Sequence, residues 1–271
     1  DRRKSLVGSE MCIRDRPETE PADIGQLEGV LRAEPDVTHV ALVHCETTTG
    51  LLNPAEEVGA LCRRYEKTYI LDAMSSFGGV PMTVGSVGAH YLISSANKCI
   101  QGVPGFGFAV AHRPTLEGTA GWARSLSLDL FDQWHEMETK VGKWRYTSPT
   151  HVVLAFNQAL QELAEEGGIA ARNQRYQENQ KLLVQGMEEI GFRTLIAREF
   201  QSPIITSFLY PEDIDFRWET FYAEMKSRGF VLYPGKLSDA DTFRIGTIGH
   251  VFPDDIRRLV GQVREAVFLN C

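Results

Sequence analysis

Apolar positions along the chain follow two rhythms. From residue 23 to residue 112, short apolar runs alternate with segments of helical period. Asp23 heads a helix with Ile24, Leu27 and Leu31 on one face, stopped before Pro35. Val37–Cys45 (VTHVALVHC) reads as a strand, almost continuously apolar in its second half, as expected of a strand covered on both faces. Asn53 heads the next helix, with Pro54 in its first turn and Glu56 and Glu57 near its positive end. Val58, Leu61, Cys62 and Tyr65 form that helix's inner face. Strands follow at Thr68–Leu71, Tyr91–Ser95 and Gly107–His112. This alternation predicts an α/β fold with a mainly parallel sheet.

Longer periods come next. His151–Glu166 is a strongly amphipathic helix stopped by Gly167-Gly168, and Ala170–Ile190 is a second. A strand (Ile204–Tyr210), a helix (Arg217–Arg228), two strands (Phe230–Tyr233, Thr242–Thr247) and a closing helix (Asp254–Phe268) complete the pattern. The grammar predicts a large domain over residues 17–170 and a small C-terminal α/β domain over 171–271, the boundary falling in the long helix near 170–185.

Residues 1–16, DRRKSLVGSEMCIRDR, fit neither rhythm and lack the apolar stretch of a secretory signal. Ser5–Arg16 resembles a translated sequencing adapter. It is read as a non-native leader, with native-looking sequence from Pro17. The charge balance, 28 Lys and Arg against 36 Asp and Glu, gives −8, an unfavourable sign for a nucleic-acid partner. No run of 18 apolar residues exists to span a membrane. The five cysteines are odd in number, widely spaced and without a CxxC pair, which suits a reduced cytoplasmic protein and neither a disulfide framework nor a zinc site.

Motifs for phosphate loops, zinc proteases and serine hydrolases are absent, and the glycines of Gly102–Gly107 miss the dinucleotide spacing. Polar residues nevertheless gather where parallel strands end, the place ligands occupy in open α/β sheets. Val37–Cys45 runs into Glu46-Thr47-Thr48-Thr49-Gly50, Thr68–Leu71 into Asp72-Ala73-Met74-Ser75-Ser76, and Tyr91–Ser95 into Ala96-Asn97-Lys98. An amine at a strand end can form an imine with a carbonyl, and a carboxylate nearby can keep a pyridine nitrogen protonated. Lys98 and Asp72 are therefore candidates for a pyridoxal 5'-phosphate (PLP) site. On the residues alone, Asp72 as a helix cap and Lys98 as a solvated charge stay open. So do Met74 as core filling, Thr47 and Thr48 as turn residues, Cys99 as a buried thiol, His44 as a satisfied core histidine and Arg244 as a surface ion pair.

The stretch HCETTTGLLNP…YILDAMSSFGG…YLISSANKCIQGVPGFGF resembles the class V (fold type I) PLP-dependent aminotransferases. The likeness continues through RSLSLDL, GKWRYTSPTH, SPIIT, LYPGK and FRIGTIG, essentially from Pro21 to the C-terminus. The SSANKCIQGVPGF block is similar to the members that pass an amino group from 2-aminoethylphosphonate to pyruvate. The resemblance implies that Lys98 carries the cofactor and moves the proton, and that Asp72 pairs with the pyridinium nitrogen. It further implies that Met74 packs on the ring, Thr47 bonds near the phenolic oxygen, and Asn97 lies near the cofactor phosphate. Thr147 would reach the phosphate of a neighbouring subunit, which implies a homodimer, and Arg244 would hold the anionic end of both substrates. Another class V activity, such as an alanine–glyoxylate type, and an inactive fragment of the fold remain as alternatives. The family's first part, roughly 100 residues with the phosphate-cradling turn and the ring-stacking aromatic, has no counterpart upstream of Pro21. The 271-residue chain by itself is thus expected to bind PLP weakly and to be inactive.

Overall fold

A computed structural model describes residues 16–212, 216–235 and 240–268. Cys12, Lys236, Cys271 and all but the last residue of the leader lie outside the described residues. Chain order begins with α1 (Ile24–Ala33), β1 (His39–Val43), β2 (Cys45–Glu46), β3 (Leu51–Leu52), α2 (Ala55–Arg64) and β4 (Thr68–Asp72). It continues with α3 (Val84–Val87), β5 (Tyr91–Ser95), β6 (Gly107–Ala111), α4 (Arg113–Glu117), α5 (Leu130–Thr139) and α6 (Thr150–Glu165). After α7 (Gly168–Ile190) come β7 (Ile205–Leu209), α8 (Trp218–Ser227), β8 (Tyr233–Pro234), β9 (Thr242–Gly246) and α9 (Pro253–Phe268).

The larger sheet has the order β1-β4-β5-β6. β1, β4 and β5 are parallel, joined by helical crossovers through α2 and α3. β6 is antiparallel to β5. Only residues 96–106 separate those two strands and none of them is helical, so the chain turns back where a parallel return would need a longer crossover. Val58 and Cys62 of α2 and Val87 of α3 pack with Tyr69, Leu71 and Leu92 on one face. Phe156 of α6 meets Phe106 and Phe108 edge-on or tilted, and Phe108 in turn meets Phe77 beside that cluster.

β1 departs from expectation. It is an edge strand among the described residues, and His39, Ala41 and Val43 are exposed while Val40 and Leu42 pack inward. The expected strand also stops early: His44 breaks it, and Cys45 and Glu46 pair with Leu52 and Leu51 in a separate hairpin. Asn53 does not cap α2; Pro54 holds that position without a side-chain bond. The Val43 carbonyl, left over where β1 ends, takes the Asn53 amide at 2.8 Å, while Asn53 Oδ1 accepts from Ala22 N and Arg16 Nη2 at 2.9 Å each. Asp23 does cap α1, accepting from Gln26 N.

The second sheet is antiparallel throughout, β7-β9-β8. Phe208, Phe221, Met225 and Phe243 centre its core, against Leu183 and Met187 of α7 and Val263 of α9. β8 begins at Tyr233, later than the expected Phe230, because Gly229 (φ +88°) and the bond from Phe230 N to Met225 O still belong to the end of α8. No helix among the described residues is long and apolar enough to cross a membrane.

Candidate active site

Because β1, β4 and β5 are parallel, the loops that follow them leave from one edge of the sheet. Asp72 ends the central strand β4, between Val43 of β1 and Ile93 of β5. Its Oδ1 accepts the Met74 N–H at 2.8 Å, a turn that fixes the carboxylate and leaves the second oxygen outside that bond. Its carbonyl accepts His44 N, and His44 Nδ1 lies 2.8 Å from Ser76 Oγ. Burial pushes the His44 imidazole down to about 4, so it is neutral at pH 7 and serves as a hydrogen-bonded core residue.

Lys98 stands in the turn after β5, closed by Gln101 N donating to Lys98 O at 2.9 Å. It is half-buried, between exposed Asn97 and fully buried Cys99. Cys99 Sγ donates to Ser75 O at 3.1 Å. Burial, together with the neighbouring Cys45, pushes the Cys99 thiol up to about 12, against the pull of Arg172 and Lys98. It is a protonated filler and not a nucleophile. Gly79 sits so close that a Cβ there would strike Cys99 Sγ, so the loop after Asp72 and the turn of Lys98 interlock.

The loop over residues 46–50 carries Thr47 and is held by the second sheet. Gly50, with φ +85°, approaches Ile205 O more closely than any side chain would allow, and its carbonyl accepts Ser202 N at 2.7 Å. Ser207 Oγ donates to Thr48 O at 3.3 Å. Arg244 of β9 donates from Nη1 to Thr47 O at 2.7 Å and from Nε to Pro234 O at 3.2 Å, with its guanidinium 6.0 Å from the Tyr233 ring centre. Arg244 is 7% exposed, and no carboxylate pairs with it among the described residues. Burial lowers its pKa, yet a guanidinium stays charged. It is a buried cation bonded to carbonyls, not a surface ion pair.

The structure thus joins Arg244 to Thr47, binds Met74 to Asp72, and interlocks the Asp72 and Lys98 loops. It does not bring Thr147 to them: that residue is exposed between α5 and α6 and shares no hydrogen bond with the other candidates. Asn97 is also exposed and makes no such bond. Sequence reasoning missed the polar face of α7. Arg172 Nη1 donates to Cys99 O (2.8 Å) and Ile100 O (3.2 Å), and Asn173 Nδ2 to Gly79 O (2.8 Å). In sequence, ARNQRYQENQ reads as a solvated helix surface, and no local signal marks these residues as buried.

The donor set suits PLP. A half-buried amine, a carboxylate oriented by an N–H, and a buried cation with no acidic partner match a carbonyl, a ring nitrogen cation and an anionic substrate. Ser95 Oγ, buried at the end of β5, has no partner among the described residues, as a polar atom waiting for a ligand would.

Comparison with known proteins agrees. The family model for class-V aminotransferases matches residues 17–217. The chain is 60% identical over 269 residues to the 2-aminoethylphosphonate–pyruvate transaminase of Syntrophobacter fumaroxidans, covering 98% of this chain and 72% of that one. It is 57% identical over 263 residues to the protein of the same name from Salmonella paratyphi C, covering 97% and 72%. Among solved structures, alanine–glyoxylate aminotransferase from Nostoc superposes with a TM-score of 0.82 at 23% identity, over 93% of this chain and 67% of that one. Aspartate aminotransferase from Thermus thermophilus gives 0.82 at 22% identity, over 95% and 70%. By sequence and by fold, this chain belongs to the class V aminotransferases.

Proposed function

We propose that the protein transfers the amino group of 2-aminoethylphosphonate to pyruvate, giving phosphonoacetaldehyde and L-alanine, with PLP bound at the edge formed by β1, β4 and β5. When bound, the cofactor supplies the carbonyl that carries the amino group between substrates and the electron sink for the C–H bond that breaks. Lys98 Nζ is the covalent anchor. With the cofactor bound, the same nitrogen would take the proton from the substrate carbon and pass it on within the site. Asp72 holds the ring nitrogen protonated through its carboxylate. Thr47 and Asn97 contribute polar contacts to the cofactor, and Met74 contributes apolar contact. Arg244 binds the phosphonate in one half-reaction and the carboxylate of pyruvate in the other.

The observation that carries this reading is Arg244: a cation buried without a carboxylate, bonded to the backbone of the Thr47 loop. Such a group is stabilised by an incoming anion, and the fork of a guanidinium fits a phosphonate or carboxylate equally. The domain division at the α7 helix, with residues 17–170 and 171–271 on either side, belongs to the same reading. So does a homodimer: Leu126, Leu128, Tyr146 and Leu154, which flank Thr147 in sequence, are large apolar side chains left exposed, and a partner surface would cover such groups.

Incubating a version of the protein that also carries the family's first part with PLP, reducing with borohydride and mapping peptides is the direct test. A pyridoxyl adduct on Lys98, its loss in Lys98→Ala, and release of phosphonoacetaldehyde from 2-aminoethylphosphonate are expected. An adduct on another lysine would refute the site. Amino transfer from L-alanine to glyoxylate, with 2-aminoethylphosphonate inert, would refute the substrate and favour a different class V activity.

A further inference from the structure

The turn that carries Lys98 rests on a strained backbone. Gln101 has φ +66°, in the left-handed region that residues with a Cβ seldom occupy. Its N–H closes the turn on Lys98 O, and the next N–H, of Gly102, bonds Ala96 O at 2.8 Å. The conformation of Gln101 therefore sets the direction in which Lys98 leaves the sheet.

A side-chain contact holds that conformation. Gln101 Nε2 donates to Tyr176 Oη at 2.7 Å. Tyr176 lies on α7, fully buried among Cys45, Cys99 and Ile204, and so touches the segments before the Thr47 loop, beside Lys98 and before β7 at once. The same phenol oxygen accepts Gly249 N at 3.3 Å. Gly249 closes the FRIGTIG run that begins on β9 with Phe243 and Arg244. One helical turn earlier on α7, Arg172 grips Cys99 O and Ile100 O, and Glu166 holds Arg172 through contacts of 2.7 and 2.8 Å.

We propose that Gln101 and Tyr176 are positioning residues: the phenol oxygen fixes the Lys98 turn through the Gln101 amide and ties it to the backbone that follows Arg244. The amine and the anion-binding strand then keep a constant spacing through both half-reactions. This rests on the roles proposed above for Lys98 and Arg244. Neither Gln101 nor Tyr176 touches the reacting atoms.

Gln101→Gly separates the two properties of Gln101. Glycine accepts φ +66° without strain, so the fold is retained or stabilised, while the bond to Tyr176 is lost. In the cofactor-free protein we expect amide exchange across residues 99–102 to quicken by about tenfold with an unchanged melting temperature. With cofactor, kcat falls by about tenfold and KM changes little, because the reacting groups are misplaced while the anion site stays intact. Tyr176→Phe produces the same fall in kcat, and the double variant falls no further than either single one. Wild-type exchange and wild-type kcat in Gln101→Gly, or additive losses in the double variant, would overturn the proposal and leave Lys98 as the cofactor lysine. Failure of the wild-type protein to acquire a borohydride-fixed pyridoxyl group on Lys98 would overturn both.

Discussion

Acid is expected to destabilise this protein in part through one histidine. His44 follows β1, is 8% exposed, and bonds its ring to Ser76 and its backbone to Asp72 O and Asn53 N. Burial brings its pKa from the ordinary 6.5 to about 4, with Glu56 pulling weakly the other way. The unfolded chain takes up this proton near pH 6.5 and the native protein only near pH 4. Between those values the unfolded state binds more protons, so stability falls as pH falls. At about 1.4 kcal/mol for each tenfold change in proton affinity, the full effect is about 3 kcal/mol, lost by about pH 4. That is a large share of the roughly 5–15 kcal/mol that holds a typical domain folded. His44→Asn keeps a polar group near the Nδ1 position and does not titrate. Urea unfolding of both proteins at several pH values from about 7.5 down to about 4 isolates the histidine, because every other titrating group is shared. The stability advantage of the wild type over His44→Asn is expected to shrink by about 3 kcal/mol across that range. Parallel stability curves for the two proteins would refute the buried, neutral imidazole.

Two further substitutions test the site. Asp72→Asn should retain cofactor yet slow the proton step by orders of magnitude, on the order of 100-fold or more, because the charge on the ring nitrogen matters most in the transition state; near-normal single-turnover rates with 2-aminoethylphosphonate would reduce Asp72 to a turn former. Arg244→Lys replaces a fork by a point charge and should lower kcat/KM for 2-aminoethylphosphonate and for pyruvate alike, by roughly 10-fold to 100-fold; a loss confined to one substrate would show that a second cation binds the other.

The elements with strong periods were legible in the sequence. Asp23 and the Ile24–Leu31 stripe define α1, and the strands at Thr68, Tyr91 and Thr242 begin where their apolar runs begin. What could not be read depends on neighbours distant in sequence. His44 carries the same apolar surroundings as the residues of β1, yet it leaves the strand because its ring and backbone find Ser76 and Asp72. The direction of β6 follows from the absence of a helix between residues 96 and 106, which no strand pattern encodes. α5 carries Leu130, Phe131, Trp134 and Met137 at helical spacing yet buries no residue, so its period was there to read although no core contact follows from it. The first half of α7 is the converse, buried yet illegible. Arg172, Asn173 and Asn179 are buried, but their partners are carbonyls on loops tens of residues away, and only the fold brings those carbonyls to a helix face. The strand-end residues Asp72 and Lys98 could be found because a parallel sheet sends its loops to one edge, whereas the link from Arg244 to Thr47 spans two sheets.

On the proposed role of Arg244, that link also accounts for one cation serving two chemically different substrates. A buried arginine paired with a carboxylate would be neutralised, and an incoming anion would have to displace its partner. Arg244 instead rests on two carbonyl oxygens, which orient the guanidinium without cancelling its charge. Glu46, the acidic residue next in sequence to Thr47, forms no ion pair with Arg244 among the described residues. Burial shifts the Glu46 carboxyl pKa upward, against the pull of Arg16, and the charge of Asp72 adds to the shift. The site therefore favours an anion, and both a phosphonate and a carboxylate meet that need. Charge attracts the two substrates but does not distinguish either from other small anions. The two substrates also differ in reach: 2-aminoethylphosphonate places two carbons between its nitrogen and phosphorus while alanine places one between nitrogen and carboxylate, so on the proposed reading one guanidinium meets anions at two distances from the reacting carbon. The polar face of α7 bonds directly to both the Lys98 turn and the segment after β9, so under the proposed positioning role a change on that face alters how the two anions are reached.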